Sequence, residues 1–547
     1  MPSLCTRFGL KVARVPHRFV PRQSLIAVAL CLLALAGCRT AQPPRVVAAA
    51  APPAVDDRQT RMESAAAEVR SGCYDCLRAG LTIYESLLSD ATYGADARAG
   101  AIRASLLLAV RETELGLVPG GYIEHARQLL GPVEAASPEL PALVEIAEVI
   151  ASGPTGFTRS ATTDKQFAAM VTISRRQEQW ASVLLNLMPQ DLTATYLWLG
   201  LACGPYSSTF PRGDEKDDVV KTVAELPLIA YKRATACGLT SSEPLEALLA
   251  VEPRFGEIHY HLGLFALGGQ TGRPPDLDGA DERFRPAFEW RQAWPTLTLA
   301  IANVAMSAED FPRALEFYDR TLALSVDDPD ALAGTLRALT YENRHDDAIA
   351  VADKLIALGR NPGEAHYWRA MNLARLKRDD QAWIDIEEAA KGLANADVPK
   401  LAGILAINRR DMTTARQRLE LARVRRRTDC ETLFYLQTVL AEQRDWEAAV
   451  NMSAEAGGCF EKEEASIEEE LAVVRSSEMV ADRRARLIAR REQQLASDAR
   501  MRATSWFNAA AASFNLARKD EARRYAQKVA DDALFGERAR TLLERIK

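Results

Sequence analysis

From about residue 58 to the C-terminus, apolar residues recur three and four apart and polar ones fill the positions between. No alternating apolar–polar run persists, so the pattern predicts an almost entirely helical chain. Small residues open a helix just after a polar turn in "LDGADERF", "DFPRALEFY", "RHDDAIAVA", "RDDQAWIDI", "RDMTTARQRL" and "RDWEAAVNM". Their key alanines are Ala280, Ala314, Ala348, Ala382, Ala415 and Ala449, spaced 34, 34, 34, 33 and 34 residues apart. A fixed period of this size is the mark of a repeat array, in which each unit buries a face only against its neighbours. A different apolar pattern stands at the beginning. Twelve unbroken apolar residues, Leu25 to Ala36, follow a basic, acid-free head and end at Gly37-Cys38.

The 34-residue period resembles the tetratricopeptide repeat, a helix-turn-helix unit. The resemblance puts the six alanines at the small position of helix B, with Ala302, Ala370, Gly403 and Gly263 at the small position of helix A. Phe284, Tyr318, Ile386 and Leu419 are the packing residues that follow. Leu336 and Gln437 depart from the pattern at the helix-A small position. Pro295, Pro329, Pro362 and Pro399 suit a first helical turn, where a missing N–H costs nothing. "SWFNAAAASFNLARKDEARRYAQKV" rejoins the pattern with Ala510 and Ala522, and Trp506 heads its helix A. The interval from Ala449 to Ala522 is 73 residues, two periods and five. A degenerate repeat is therefore expected within 461–502, a segment without Gly or Pro and dense in Glu, Arg and Lys. The alternative, a free-standing coiled coil, wants more regular heptads than this segment has.

The expected fold class is all-α, an α-solenoid of stacked helical hairpins with the right-handed superhelix that the resemblance implies. The expected organisation is a signal peptide over 1–37, a Pro/Ala-rich tether over 38–57 and degenerate hairpins over 58–250. A regular array over 251–460 follows, and 461–547 holds a charged degenerate repeat, a terminal repeat and a capping helix. In the looser first half, "SGCYDCLRAGLTIYESLL" reads as a turn and a helix B, and "YLWLGLACG" and "LIAYKRATACGL" as a helix A and a helix B.

Twelve apolar residues are too few to span a bilayer, which takes about 20. The basic head, short apolar centre and small residues read as a secretory signal. Leu35-Ala36-Gly37-Cys38 resembles the lipobox of bacterial lipoproteins, which implies cleavage before Cys38 and its acylation. An ordinary signal with an accidental cysteine is the plainer alternative. Stable attachment needs more than one acyl chain, and the motif implies two or three. The Pro-Pro pairs of "TAQPPRVVAAAAPPAVDD" make an extended spacer. Arg39, where an aspartate would mark inner-membrane retention, favours an outer-membrane anchor facing the periplasm.

The formal charge is −6, and the leader's five basic residues leave −11 for the rest of the chain. An acidic body argues against general nucleic-acid binding, which needs a cationic surface. Of nine cysteines, the leader takes Cys5 and Cys31 and lipidation Cys38. The six that remain form an even set, as expected of disulfides in an oxidising compartment. Cys430 and Cys459 fall at the first and thirtieth positions of one repeat, which a hairpin brings side by side; two separate buried thiols are the alternative. Cys203 with Cys237 is a second candidate pair. Cys73 and Cys76 have redox-motif spacing, but helix rather than strand surrounds them, favouring a structural disulfide or simple packing over catalysis.

His259 and His261 lie on opposite faces of a helix and read as surface and packing residues. "GGQTG" (268–272) lacks the lysine and strand of a phosphate loop. No HExxH, GxSxG or paired CxxC motif is present, and six histidines nominate no hydrolytic triad. The expectation is a non-enzymatic protein with no cofactor and no metal site. Carried over from the resemblance, the concave groove would be lined by Tyr260, Asn303, Arg337, Tyr341, Tyr367, Arg375, Asn408, Phe434 and Phe507. Aromatic and arginine side chains are frequent interface anchors, and Arg337 with Arg375 could hold a partner carboxylate. Protein or peptide partners are thus expected, along with the membrane through the lipid anchor. A transport-accessory bundle holding a small ligand is the runner-up, and an enzyme hidden in the first half the third reading.

Overall fold

The computed structural model describes residues 56–152, 164–203, 206, 226–237, 241–268 and 275–546. The leader, Cys38, nearly all of the Pro/Ala-rich segment and most of "GGQTG" lie outside the described residues. Within them are 24 helices and no strand.

Nine helices make up the first half: α1 (Asp57–Ser71), α2 (Tyr74–Glu85), α3 (Gly94–Leu115), α4 (Tyr122–Leu130), α5 (Leu140–Ala151), α6 (Asp164–Leu187), α7 (Leu192–Cys203), α8 (Pro227–Ala236) and α9 (Glu243–Val251). Six hairpins follow: α10 (Ile258–Leu267) with α11 (Leu277–Trp290), α12 (Pro295–Ser307) with α13 (Phe311–Leu324), and α14 (Pro329–Tyr341) with α15 (His345–Ala357). The array continues with α16 (Pro362–Arg375) and α17 (Asp379–Gly392), α18 (Asp397–Asn408) and α19 (Met412–Arg425), α20 (Cys430–Glu442) and α21 (Trp446–Ser476). A last hairpin, α22 (Ala481–Asn515) with α23 (Lys519–Gln527), is capped by α24 (Gly536–Ile546). Each helix packs mainly on those before and after it, and the first helices of successive hairpins also touch. The protein is an α-solenoid of stacked helical hairpins.

The period has a steric cause. Ala280, Ala314, Ala348, Ala382 and Ala415 are fully buried and Ala449 nearly so. At the partner position in the first helix, a Cβ on Gly263 would overlap the Phe284 ring, and one on Gly403 would sit 2.5 Å from Leu419 Cγ. Phe284, Tyr318, Ile386 and Leu419, all fully buried, fill the space that the small residues leave. Pro295, Pro329 and Pro362 each open their helix, and Pro399 is the third residue of α18.

The turn inside the last six hairpins also repeats. Glu309, Asn343, Lys377, Arg410, Arg444 and Ala517 all have φ between 56° and 61°. The next residue's N–H bonds back five residues, as from Asp310 to Ala305 and from Asp411 to Ala406. This left-handed closure ends the first helix. Asp276, Asp310, Asp411 and Asp445 then cap the second helix with their side chains. Ion pairs between second helices join neighbouring repeats, among them Arg313–Asp281, Arg418–Glu387 at 2.7 Å and Arg423–Glu455 at 2.7 Å. Exposed pairs like these contribute little stability each.

One expectation is corrected. Residues 461–502 do not form a degenerate repeat. The second helix of the sixth hairpin runs on to Ser476 and the first helix of the last begins at Ala481. The two extensions pack on each other as a long antiparallel arm. The helix runs through Gly457-Gly458, the segment beyond has neither Gly nor Pro to end it, and Ile467, Leu471 and Val474 recur four and three apart, all buried, to seal α21.

Candidate functional site

The first helices of the hairpins α12–α13 to α20–α21 carry the proposed groove residues. Asn303 is exposed and accepts the Tyr318 hydroxyl at 2.8 Å. Tyr341 is 51 % exposed and stacks on Phe311 at 4.9 Å. Its ring meets Trp368 at 6.0 Å, and Trp368 meets Tyr367 at 5.6 Å, so an aromatic row runs across three hairpins. Burial raises the half-buried Tyr367 phenol above its ordinary range, helped by the Asp397 carboxylate. Arg337 is half-buried, and its Nε has no hydrogen-bond partner. Arg375 and Asn408 are exposed. Neither Arg337 nor Arg375 holds an ion pair among the described residues. A small hollow of about 20 Å³ between the α14–α15 and α16–α17 hairpins is lined by Ala333, Leu336, Trp368, Arg360 and Glu364. Trp368 escaped the sequence mapping because the resemblance places its neighbour, Tyr367, on the groove.

Of the expected groove residues, only Tyr260 is buried. Tyr260 is 4 % exposed and packs on Trp294 at 4.8 Å and Phe284 at 6.0 Å. It is a core residue, because Trp294 from the next hairpin covers it. Phe507 stacks on Phe535 at 5.1 Å, under the C-terminal segment. Phe434 is half-buried with its edge toward Tyr435 and Phe460.

The six cysteines are joined in three disulfides, Cys73–Cys76, Cys203–Cys237 and Cys430–Cys459, with Cα separations of 4.9, 4.6 and 5.5 Å. Cys73 and Cys76 are buried at the start of α2. Beside them lies a polar cluster that the sequence did not announce. Arg111 and Glu257, both fully buried, form an ion pair. Glu257 also accepts the Tyr74 N–H at 2.9 Å. The Arg111 guanidinium lies 3.6 Å from the Tyr231 ring centroid, and the Tyr231 hydroxyl meets His261 Nε2 at 2.7 Å. Burial and Arg111 together push the His261 imidazole down to about 3, so it is neutral at physiological pH. His259 lies elsewhere on the helix, half-buried, and no group of His, Cys, Asp and Glu suited to a metal occurs among the described residues.

The arm reaches the far end of the array. Arg483 pairs with Asp278 at 2.7 Å, Arg486 with Asp310 at 2.8 Å, and Arg491 and Arg490 with Glu309 at 3.1 and 3.5 Å. Arg490 also lies over Phe311, 3.9 Å from its ring centroid, at the end of the aromatic row. Nearer the arm's root, burial raises the Glu463 and Asp498 carboxyls. Like charge adds to this, from Asp498 and Glu431 at Glu463, and from Glu464 and Glu431 at Asp498.

No family model matches the chain, and no curated protein does. Solved structures similar to it include YrrB, described as a TPR protein with an unusual peptide-binding site. That likeness is 19 % identical over 32 % of this chain and 91 % of the other, with a TM-score of 0.28. Pseudomonas aeruginosa PilF is 19 % identical over 37 % of this chain and 89 % of its own, with a TM-score of 0.32. The APC/C hetero-tetramer Cut9–Hcn1 is 13 % identical over 90 % and 96 %, at a TM-score of 0.37.

Proposed function

We propose that this chain is a non-enzymatic, lipid-anchored scaffold of the cell envelope, facing the periplasm, that binds protein or peptide partners along the first-helix side of its array. One observation carries the binding half of this reading. Many arginines elsewhere in the array pair from repeat to repeat, whereas Arg337 and Arg375 stand on this side without an ion pair, and Arg337 Nε lacks any acceptor. A partly buried N–H without a partner is costly, and a partner's carboxylate would satisfy it. The aromatic row of Tyr341, Trp368 and Tyr367 beside them supplies apolar contact area at little conformational cost.

Replacing Arg337 and Arg375 together by Glu will lower partner recovery at least about tenfold, since a reversed charge repels the carboxylate it once held. The measurement is cross-linking in membranes followed by mass spectrometry, with circular dichroism to establish that the variant is folded. Undiminished recovery from a folded variant removes the groove. The anchoring half rests on the four-residue resemblance at Cys38 and the apolar run ahead of it. A Cys38→Ser chain will leave the membrane fraction and lose its acyl mass; a variant that still pellets with membranes rules out Cys38 as the anchor.

A further inference from the structure

The arm differs from the rest of the fold in what holds it down. Its two helices seal on each other through Ile467, Leu471 and Val474. Within the array, successive hairpins share apolar clusters. None of those clusters, nor the large one spanning the first half and the α10 to α13 hairpins, includes a residue of 461–502. At its tip the arm meets the array through guanidinium groups on Asp278, Glu309, Asp310 and the Phe311 ring. Its root, by contrast, is firmly set. The Cys430–Cys459 disulfide ties α21 to α20 just before the arm departs, and Gln437 donates to Ser505 at 2.8 Å where α22 returns. From Ser505 to Arg483 the helix spans about 33 Å, at 1.5 Å per residue. The arm thus stretches from the sixth hairpin back to the first and second.

We infer that residues 461–502 are a strap, rooted in the sixth and last hairpins, whose basic tip occupies the acidic and aromatic end of the array and swings away as a unit. Arg490 on Phe311 stands at the head of the row that continues through Tyr341 and Trp368. A ligand approaching that end of the row meets Arg490 first, so the strap takes in cis a place that a cationic side chain of another molecule would take. Ion pairs at a surface are individually weak and screened by salt. Closure built from four of them and one cation–π contact responds to ionic strength, as a greasy contact would not. The strap's motion is read from this chain alone; its meaning for partner access rests on the groove reading above.

The test measures a distance within the full-length protein in non-ionic detergent. Spin labels are placed at the exposed positions Ala485 and Glu282 through non-cysteine chemistry, which spares the disulfides, and the separation is read by pulsed electron paramagnetic resonance. At 50 mM NaCl a single short, narrow distance is expected, and at 1 M NaCl a longer and broader distribution. Arg490→Glu/Arg491→Glu should give the long distribution already at low salt. Adding Glu309→Arg should restore the short one, since Arg410 and Arg444 occupy the same turn position in other hairpins. A short distance that persists at 1 M NaCl and in the double substitution overturns the strap, as does a charge swap that fails to restore closure. Should the double substitution unfold the chain, the salt series on the unsubstituted protein decides alone. None of these outcomes depends on a partner, so the strap and the groove can fail separately.

Discussion

Glu257→Ala will destabilise the folded chain by about 3–5 kcal/mol, the cost of stranding a buried charge. Arg111 and Glu257 are both fully buried, on α3 and at the start of α10, 146 residues apart. The guanidinium cannot shed its proton, and its Nε and Nη1 already lack partners. Removing the carboxylate leaves a full positive charge against the Tyr231 face and neutral His261, with the more distant Glu114 carboxylate already engaged by Lys232. The Tyr74 N–H at the start of α2 loses its acceptor at the same time. Replacing both charged residues by methionine should recover most of the loss, because apolar groups of similar volume need no partner. Urea titrations of the three variants check this. A Glu257→Ala chain within about 1 kcal/mol of the parent would show that water reaches the cluster and that it is not a buried pair.

Opening the Cys430–Cys459 bridge has the next largest effect. The bond closes a loop of 29 residues, for which the chain-entropy account gives about 3–4 kcal/mol. Cys430→Ala/Cys459→Ala should lower the urea midpoint accordingly, with the loss concentrated at the strap's root. Hydrogen exchange would then be fastest in α20 and the adjoining half of α21, while α12 to α17 keep their protection. Uniform loss along the array would mean that the bridge does not act locally. The Cys73–Cys76 bond, spanning three residues, constrains the unfolded chain far less.

The array is legible in the sequence because its period comes from contacts between near neighbours. A close crossing of two helices admits only a small residue, and the crossing recurs wherever the hairpin does, so Ala280 to Ala449 mark it in the chain itself. The prolines at 295, 329 and 362 and the acidic caps are likewise local, each serving a free helix end. Cys430 and Cys459 share one hairpin, so their adjacency follows from register. The strap was not legible for the opposite reason. Its Arg and Glu residues read as a solvated helix face, and the carboxylates that meet the arginines at its tip lie 176 to 205 residues earlier. The one trace was the 73-residue interval with its Gly- and Pro-free stretch over 461–502, which fits an extra repeat and two lengthened helices equally well. Tyr260 was misplaced because register names a face of its helix and says nothing of Trp294 arriving from the next hairpin.

By itself, then, the sequence determined that the chain is helical, that it repeats, where its hairpins turn and which small residues let them close, all set by interactions within about 35 residues. Tertiary structure alone decided that Arg111 and Glu257 share one buried site and that an arm crosses back to the start of the array. It also decided which groove side chains stay open to a partner. Those arrangements depend on charges and rings brought together from distant parts of the chain, and a pattern read along the backbone carries no record of them.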